Sequence, residues 1–566
     1  MHLRLPSVLS QLARPANWLE QSQNSILSAA TIITAANIIS SLSSLITTRY
    51  MISVFFDSAS SQQAYEAFRL AFQVPDLVFQ LVVLGALSAA FIPIFTRYKK
   101  DDLSKAFKMS SIMMNVLLIL FIVVSIFVAI FARPLTQLRI GQGIPVEEVE
   151  IIIRLTRIML LSQLFFAVSN FMTGILQSFH RFVLPALSPI FYNVGILLGV
   201  YLFAPTFGIY SAAIGVILGA FLHMAIQIPL VLKLGYKYTF SFDINFDGIK
   251  EFFRLMPPRV IALGASQLRN LLLGFFTTSL GNLSFVIMQL ALSLMIIPIR
   301  FFGVPIGQAS LPFLSEFSSQ TDRSRFRHLI IQSLHQISFL SFPASVLLLI
   351  LRVPLVRLAF GASNFSWENT LLTSRLVAVL ALSVAAQALG QLLIRAFYAL
   401  HDTRTPLYIA LVDLVLYCII AAVLVFFTPL KIYGIAVATM LTAFIEFFFL
   451  LVFLNKKVSG FMSREFWLPQ LKILVASFLM AVFIYLPFKI LDEVVFDTSK
   501  TVDLLALTVA TGTIGMLVYA YFAMLFDIRE LKMLTHLLEK FGPWQKILST
   551  SPEVIADSSG KASESM

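Results

Sequence analysis

Arginines and single carboxylates stand inside long apolar runs of this chain, where their chemistry is most constrained. Asn37, Arg49, Glu66, Arg69 and Asp76 fall in or beside the first two runs, and Arg259, Gln267, Arg269, Asn270, Gln289 and Arg300 in the seventh and eighth. An ionisable group at the bilayer centre is costly unless it faces protein or water. A guanidinium stays protonated at any relevant pH and offers a planar fork to two oxygens of one phosphate. Cations around a central space therefore imply an anionic, phosphate-bearing ligand. Arg269 and Arg300 carry this expectation most directly, because Arg269 lies deep in its run and Arg300 follows the helix-breaking Pro298. Arg49, near a run's end, is open to snorkelling or to ligand contact. Glu66 and Arg69, one turn apart, can pair with each other or hold substrate together. Asp413 is a lone carboxylate in the eleventh run. It is read either as a site for a coupling cation, Na+ or H+, or as a partner of Arg395 or Arg375.

The elements that must position these groups are membrane spans. With 58% hydrophobic and 12% charged residues, no water-soluble fold of this length fits. A spanning helix needs about 20 mostly apolar residues. The expected spans are 26–50, 67–96, 109–132, 151–178, 184–204, 208–232, 252–279, 284–316, 328–351, 369–399, 405–427, 431–454, 468–490 and 504–526. The fold class is thus an all-α polytopic membrane protein of about fourteen helices. Lys and Arg concentrate between spans 2 and 3 (Arg97, Lys99, Lys100, Lys105, Lys108), 8 and 9 (Arg323, Arg325, Arg327), and 12 and 13 (Lys456, Lys457, Arg464). The positive-inside rule then puts both termini in the cytoplasm. The +12 net charge follows from this bias and a basic tail, and calls for no nucleic-acid partner.

The chain repeats itself after about 220 residues. Ala90-Phe91-Ile92-Pro93 is echoed by Ala309-Ser310-Leu311-Pro312, and the segment from Gly174 to Pro185 by that from Leu392 to Pro406. Each copy holds six spans, an even number, so both insert with the same orientation. Two such lobes are a transporter design with the ligand between them. The expected domains are an interfacial segment 1–25, an N-lobe 26–245, a C-lobe 246–460, spans 13 and 14 in 461–526, and an amphipathic segment with a polar tail in 527–566. No cleavable signal peptide is read at the N-terminus. Cys418 is the only cysteine, so no disulfide framework is expected. Gly-Lys-Ser/Thr loops, His-Glu-x-x-His and Gly-x-Ser-x-Gly are absent, which argues against an enzyme and against transport powered by the chain's own ATP hydrolysis.

Several motifs resemble one family. Phe72-Gln73-Val74-Pro75-Asp76-Leu77 with Gly85 through Pro93 is similar to the second-helix motif of the MurJ (MviN) lipid II flippases, in the multidrug/oligosaccharidyl-lipid/polysaccharide superfamily. Pro298 through Gly303 with Leu311-Pro312-Phe313-Leu314-Ser315 resembles their eighth-helix motif, and Phe397 through Pro406 their loop before helix 11. The resemblance implies two lobes around a central cavity, two added helices forming a groove, and cavity arginines that hold a polyprenyl-pyrophosphate-linked glycan. It also implies alternating access in the inner membrane, driven by an ion gradient or the membrane potential, beside other cell-wall synthesis proteins. The chain departs from the family where arginines are expected: the helix-1 pair aligns with Asn37 and Ser43, the helix-2 arginine with Phe79, and the helix-8 arginine with Ser293. The expected substrate set is therefore Asn37, Arg49, Glu66, Arg69, Arg269, Ser293 and Arg300. Another polyprenyl-linked glycan, multidrug-type antiport, and a non-transporting membrane scaffold are the alternative functions.

Overall fold

The computed structural model describes residues 26–84, 91–281, 283–318, 324–361, 364–458 and 460–531. The interfacial segment expected at 1–25, the tail beyond Leu531, residues 85–90 of the second-helix motif and the Arg259 side chain lie outside the described residues. Among those described, every regular element is helical.

The first half opens with α1 (Ile26–Phe55). The second expected span is a succession of pieces: α2 (Ala59–Ala71), α3 (Gln73–Phe79), a π-helical turn π1 (Gln80–Leu84) and α4 (Ile92–Asp101). Next come α5 (Leu103–Ile130), a short α6 (Ala132–Arg139) and α7 (Val146–Ser178). The half closes with α8 (Val183–Phe207), α9 (Tyr210–Ala225) and α10 (Ile228–Lys233). The second half starts with α11 (Asp247–Leu280), then α12 (Ser284–Pro298), π2 (Ile299–Gly303) and α13 (Val304–Ser318). It continues through α14 (Ser324–Ile350), a short α15 (Arg352–Phe360), α16 (Trp367–Ala381) and α17 (Val384–Ala399). The remaining helices are α18 (Arg404–Phe426), α19 (Ile432–Lys457), α20 (Arg464–Ile490) and α21 (Thr501–Leu525).

Eleven helices among the described residues are long and apolar enough to span, and twelve if α16 and α17, bent by 47°, count as one. The expected number of fourteen is not reached by that criterion. The two other expected spans are the interrupted α2–α4 stretch and α11, whose apolar sequence is broken by Arg254, Arg259 and Arg269.

Local backbone geometry repeats at the offset seen in the sequence. π1 begins at Gln80 and π2 at Ile299. Helix α7 ends with His180 in the left-handed region (φ 57°), and α17 with His401 there (φ 56°). In both, the following amide closes a six-residue loop, Arg181 N to Leu176 O at 2.9 Å and Asp402 N to Phe397 O at 3.0 Å. The hinges after α8 and α18 also match, Gly208 at φ 51°, ψ −131° and Lys431 at φ 50°, ψ −121°.

Close packing uses the absence of side chains. A Cβ on Gly195 would lie 2.2 Å from Gly219 Cα, and one on Gly199 2.2 Å from Gly215 Cα, so α8 and α9 cross with backbones nearly touching. Glycine at spacing four on both helices makes this approach possible, and dispersion between close backbones holds helices together where lipid offers no hydrophobic drive. Helices α20 and α21, outside the repeat, dock on α14 through Phe339, Ile473, Met480, Ile484 and Tyr519. The Tyr519 hydroxyl donates to Phe339 O at 2.9 Å. Gly199→Val should push α8 and α9 apart, costing about 1–3 kcal/mol from overpacking. A thermal unfolding curve in detergent that matches the parent chain would contradict this packing.

Candidate functional site

A cleft of about 410 Å³ lies between the halves, bounded by α1, α2, α3, α8 and α9 on one side and α11 and α12 on the other. Among the described residues its charged lining side chains are Arg69 and Asp76. Five carboxamides, Gln73, Asn193, Gln267, Asn270 and Gln289, line it with them. Carboxamides donate and accept hydrogen bonds, so the wall suits hydroxyl- and amide-rich groups around one cation.

One end of the cleft, opposite the Lys- and Arg-rich loops, is closed by contacts between the halves. Leu283 and Phe285 of the α12 N-terminus donate backbone N–H bonds to the buried Glu66 carboxylate at 3.1 and 2.9 Å. Arg49 Nη1 donates to the carbonyls of Arg357 (3.0 Å) and Leu358 (2.6 Å) in the last turn of α15. An anion thus meets a helix N-terminus and a cation a helix C-terminus, the polarity the helix dipole favours. Asn364 Nδ2 donates to Ser53 O at 3.0 Å, and Gly141 N to Thr278 Oγ1 at 2.7 Å. Gln73 Nε2 reaches Asn270 O at 3.1 Å. At the opposite end Arg97 pairs with Glu251, an exposed contact in which the start of α11 lies against α4.

These contacts revise several expectations. Glu66 does not pair with Arg69; it caps α12, because the α12 amides have no intrahelical acceptors. Arg49 neither snorkels nor lines the cleft; it caps α15. Arg69 lines the cleft. Arg269 lies instead in a second cavity of about 150 Å³ bounded by α11, α12, α17, α18 and α19, which shares Asn270 with the cleft. There it forms an ion pair with Asp413 and donates to Thr442 Oγ1 at 3.0 Å. Its guanidinium sits 4.7 Å from the Tyr417 ring centroid. Asp413 is therefore not a lone carboxylate, and its partner is neither Arg395 nor Arg375. Arg395 instead packs against Gly307 and donates to Gln391 O at 3.2 Å. Arg300 is exposed on π2 and belongs to the lining of neither cavity. Asn37 is exposed on α1, and the Ser293 hydroxyl is turned to its own helix, donating to Leu290 O at 2.7 Å. Neither lines either cavity.

Three participants went unread in the sequence. Glu446 lines the Arg269 cavity, and its position inside span 12 was signal enough. Gln73 and Arg139, joined at 2.8 Å, carry no such signal, since an amide and a loop arginine look ordinary.

The profile described as "Lipid II flippase MurJ" matches residues 55–502. The chain belongs to the MurJ family. A probable lipid II flippase MurJ of Bdellovibrio bacteriovorus is 25% identical over 521 residues, covering 91% of this chain and 97% of that protein. The lipid II flippase MurJ of Burkholderia cenocepacia is 26% identical over 364 residues, 62% of this chain and 70% of that one. Among solved structures, a lipid II flippase MurJ in an inward closed conformation superposes with a TM-score of 0.71 at 23% identity, covering 88% of this chain and 98% of that one. An inward-facing multidrug resistance MATE family transporter of the MOP superfamily gives 0.61 at 12% identity, covering 76% of this chain and 98% of that one. MurJ proteins are transporters, and the chain is a multi-pass inner-membrane protein of that family rather than an enzyme.

Within this MurJ scaffold Glu66 holds the closed end through two charge-assisted bonds, together about 2–3 kcal/mol. Glu66→Ala should shift the population toward separation of the halves there by about 30–100-fold, at about 1.4 kcal/mol per factor of ten. Spin labels at Glu147→Cys and Glu368→Cys in a Cys418→Ser background should report longer distances; an unchanged distribution contradicts the cap's role. Arg269→Ala leaves Asp413 buried and unpaired, and should lower stability by about 3–5 kcal/mol. Adding Asp413→Asn should restore most of the loss in a thermal melt. Additive losses would mean that the two groups do not interact.

Proposed function

We propose that this chain translocates lipid II, a polyprenyl-pyrophosphate-linked glycan, from the inner to the outer leaflet by alternating access. The observation that supports the reading is the polar cleft between halves of a MurJ-family fold, shut at one end by reciprocal helix caps. Under the positive-inside rule both termini are cytoplasmic and the shut end is the outer one. Arg69 meets the substrate's phosphates with its fixed charge, and the carboxamides meet the sugar and peptide groups. Movement then consists of breaking the caps at Glu66 and Arg49 while the opposite end closes. Arg300, exposed on π2, is retained as a second phosphate contact on the substrate's path.

The driving force is proposed to act through Asp413 and Glu446. Glu446 lines the Arg269 cavity beside the Arg269–Asp413 pair, so that two carboxyl groups share the surroundings of one guanidinium. The Asp413 Oδ1 atom is buried without a partner among the described residues. A proton or Na+ taken up there would be held by these carboxyl groups beside Arg269.

Proteoliposomes carrying fluorescent lipid II test both points. The parent chain should move the lipid; Arg69→Ala should slow it at least tenfold, and Arg69→Lys should retain part of the rate because it keeps charge but not the fork. Asp413→Asn should abolish the response to a Na+ or pH gradient. No lipid movement by the parent chain refutes the flippase reading, and full activity of Arg69→Ala refutes its phosphate contact.

A further inference from the structure

Arg139 ends the short helix α6 on the connection between α5 and α7, at the closed end of the cleft. Only 8% of it is exposed. Its Nη1 donates to Gln73 Oε1 at 2.8 Å, while Nε and Nη2 are buried with no hydrogen-bond partner. Among the described residues no carboxylate forms an ion pair with it. A buried cation without a counter-charge is costly, and native structures seldom leave two of its donors unsatisfied. Among the described residues nothing in the closed arrangement repays this cost.

The surroundings indicate what does. Gln73 stands between Arg139 and the cleft: it lines the cleft and donates across to Asn270 O. A Cβ on Gly274 would lie 2.9 Å from Gln73 Oε1, so the amide is wedged against α11. Two residues beyond Arg139, Gly141 N bonds Thr278 Oγ1, and a Cβ on Gly143 would lie 2.5 Å from Thr278 O. These are contacts between the halves. When the halves part at this end, Gln73 loses Asn270 and the seam beside Arg139 opens. The unused atoms, Nε and Nη2, form one edge of the guanidinium, the edge that binds two oxygens of one phosphate.

We propose that Arg139 is an anion-binding residue of the exit path: it is covered in the closed state and takes the phosphates of a lipid-linked substrate when this end opens. The proposal rests on the flippase reading above. It explains why the arginine is kept without a counter-ion, since a carboxylate beside it would compete with the arriving phosphate. The cleft's own arginine, Arg69, then hands the anion to a second cation, with Gln73 between them as the movable barrier.

The test separates binding from structure. Arg139→Met keeps the apolar stem and removes a buried, uncompensated charge, so the purified full-length variant should melt no lower than the parent chain. In lipid II proteoliposomes it should nevertheless flip at least tenfold more slowly, and Arg139→Lys should retain an intermediate rate. A Met variant that flips within twofold of the parent overturns the proposal. So does one that loses melting temperature and activity together while Arg139→Lys does the same, because that pattern assigns Arg139 a packing role. If the parent chain itself moves no lipid II, the flippase reading fails separately. Retention of undecaprenyl pyrophosphate by detergent-purified parent and Arg139→Met then decides: weaker retention by the variant upholds the anion site, and equal retention overturns it.

Discussion

Helix ends in a membrane protein cannot rely on water for their free amides and carbonyls, and this constraint organises the contact between the two halves. Each helix leaves four N–H and four C=O groups without intrahelical partners. Away from water every one left open costs free energy. Here the amides at the start of α12 are met by Glu66, and the carbonyls at the end of α15 by Arg49, each from the other half of the chain. Closure of this end thus satisfies polar backbone that separation exposes. Separation is tolerable only where water reaches the freed groups, which couples opening to hydration of that mouth.

The same accounting explains the division of charges. Arg49 and Glu66 are committed to backbone, and Arg269 to Asp413, Thr442 and the Tyr417 ring. What remains facing the cleft, among the described residues, is a single arginine and a single aspartate among carboxamides. A cleft with little fixed charge avoids the cost of bare cations when empty. It also binds an anion less tightly, which favours release. Carboxamide walls can hold a large polar headgroup through many weak bonds that are exchanged one at a time as the halves move.

The fold was largely legible because its signals are local and periodic. Apolar runs marked most spans within a few residues, and the echo between Pro93 and Pro312 anticipated repeated geometry that extends to π1 and π2 and to His180 and His401. The site was less legible because its partners are distant in sequence. Arg49 meets carbonyls more than 300 positions away, and Arg269 and Asp413 are 144 apart. Their types were read correctly as costly in a membrane, yet cost alone does not say whether a charge is relieved by ligand, by water or by another helix. Arg69, by contrast, faces the cleft. Glu446 was open to the same reasoning as Asp413, and Arg139 was hidden because a loop arginine ordinarily means a solvated one.

The departures from the family's arginine pattern fit this picture. Asn37 is exposed, Phe79 is buried, and Ser293 bonds its own helix, so none of the three replaces a lost cation. Compensation of a moving pyrophosphate must then come from charges placed elsewhere along the path. Arg69 in the cleft, Arg300 on π2 and Arg139 behind Gln73 stand on three different elements, α2, π2 and α6. Spread out in this way, the cations do not repel one another in a small volume of low dielectric. On the proposed path, an anion passing them in turn would keep one guanidinium in reach without ever being held by all of them. A path of successive single contacts suits a carrier whose ligand has to leave.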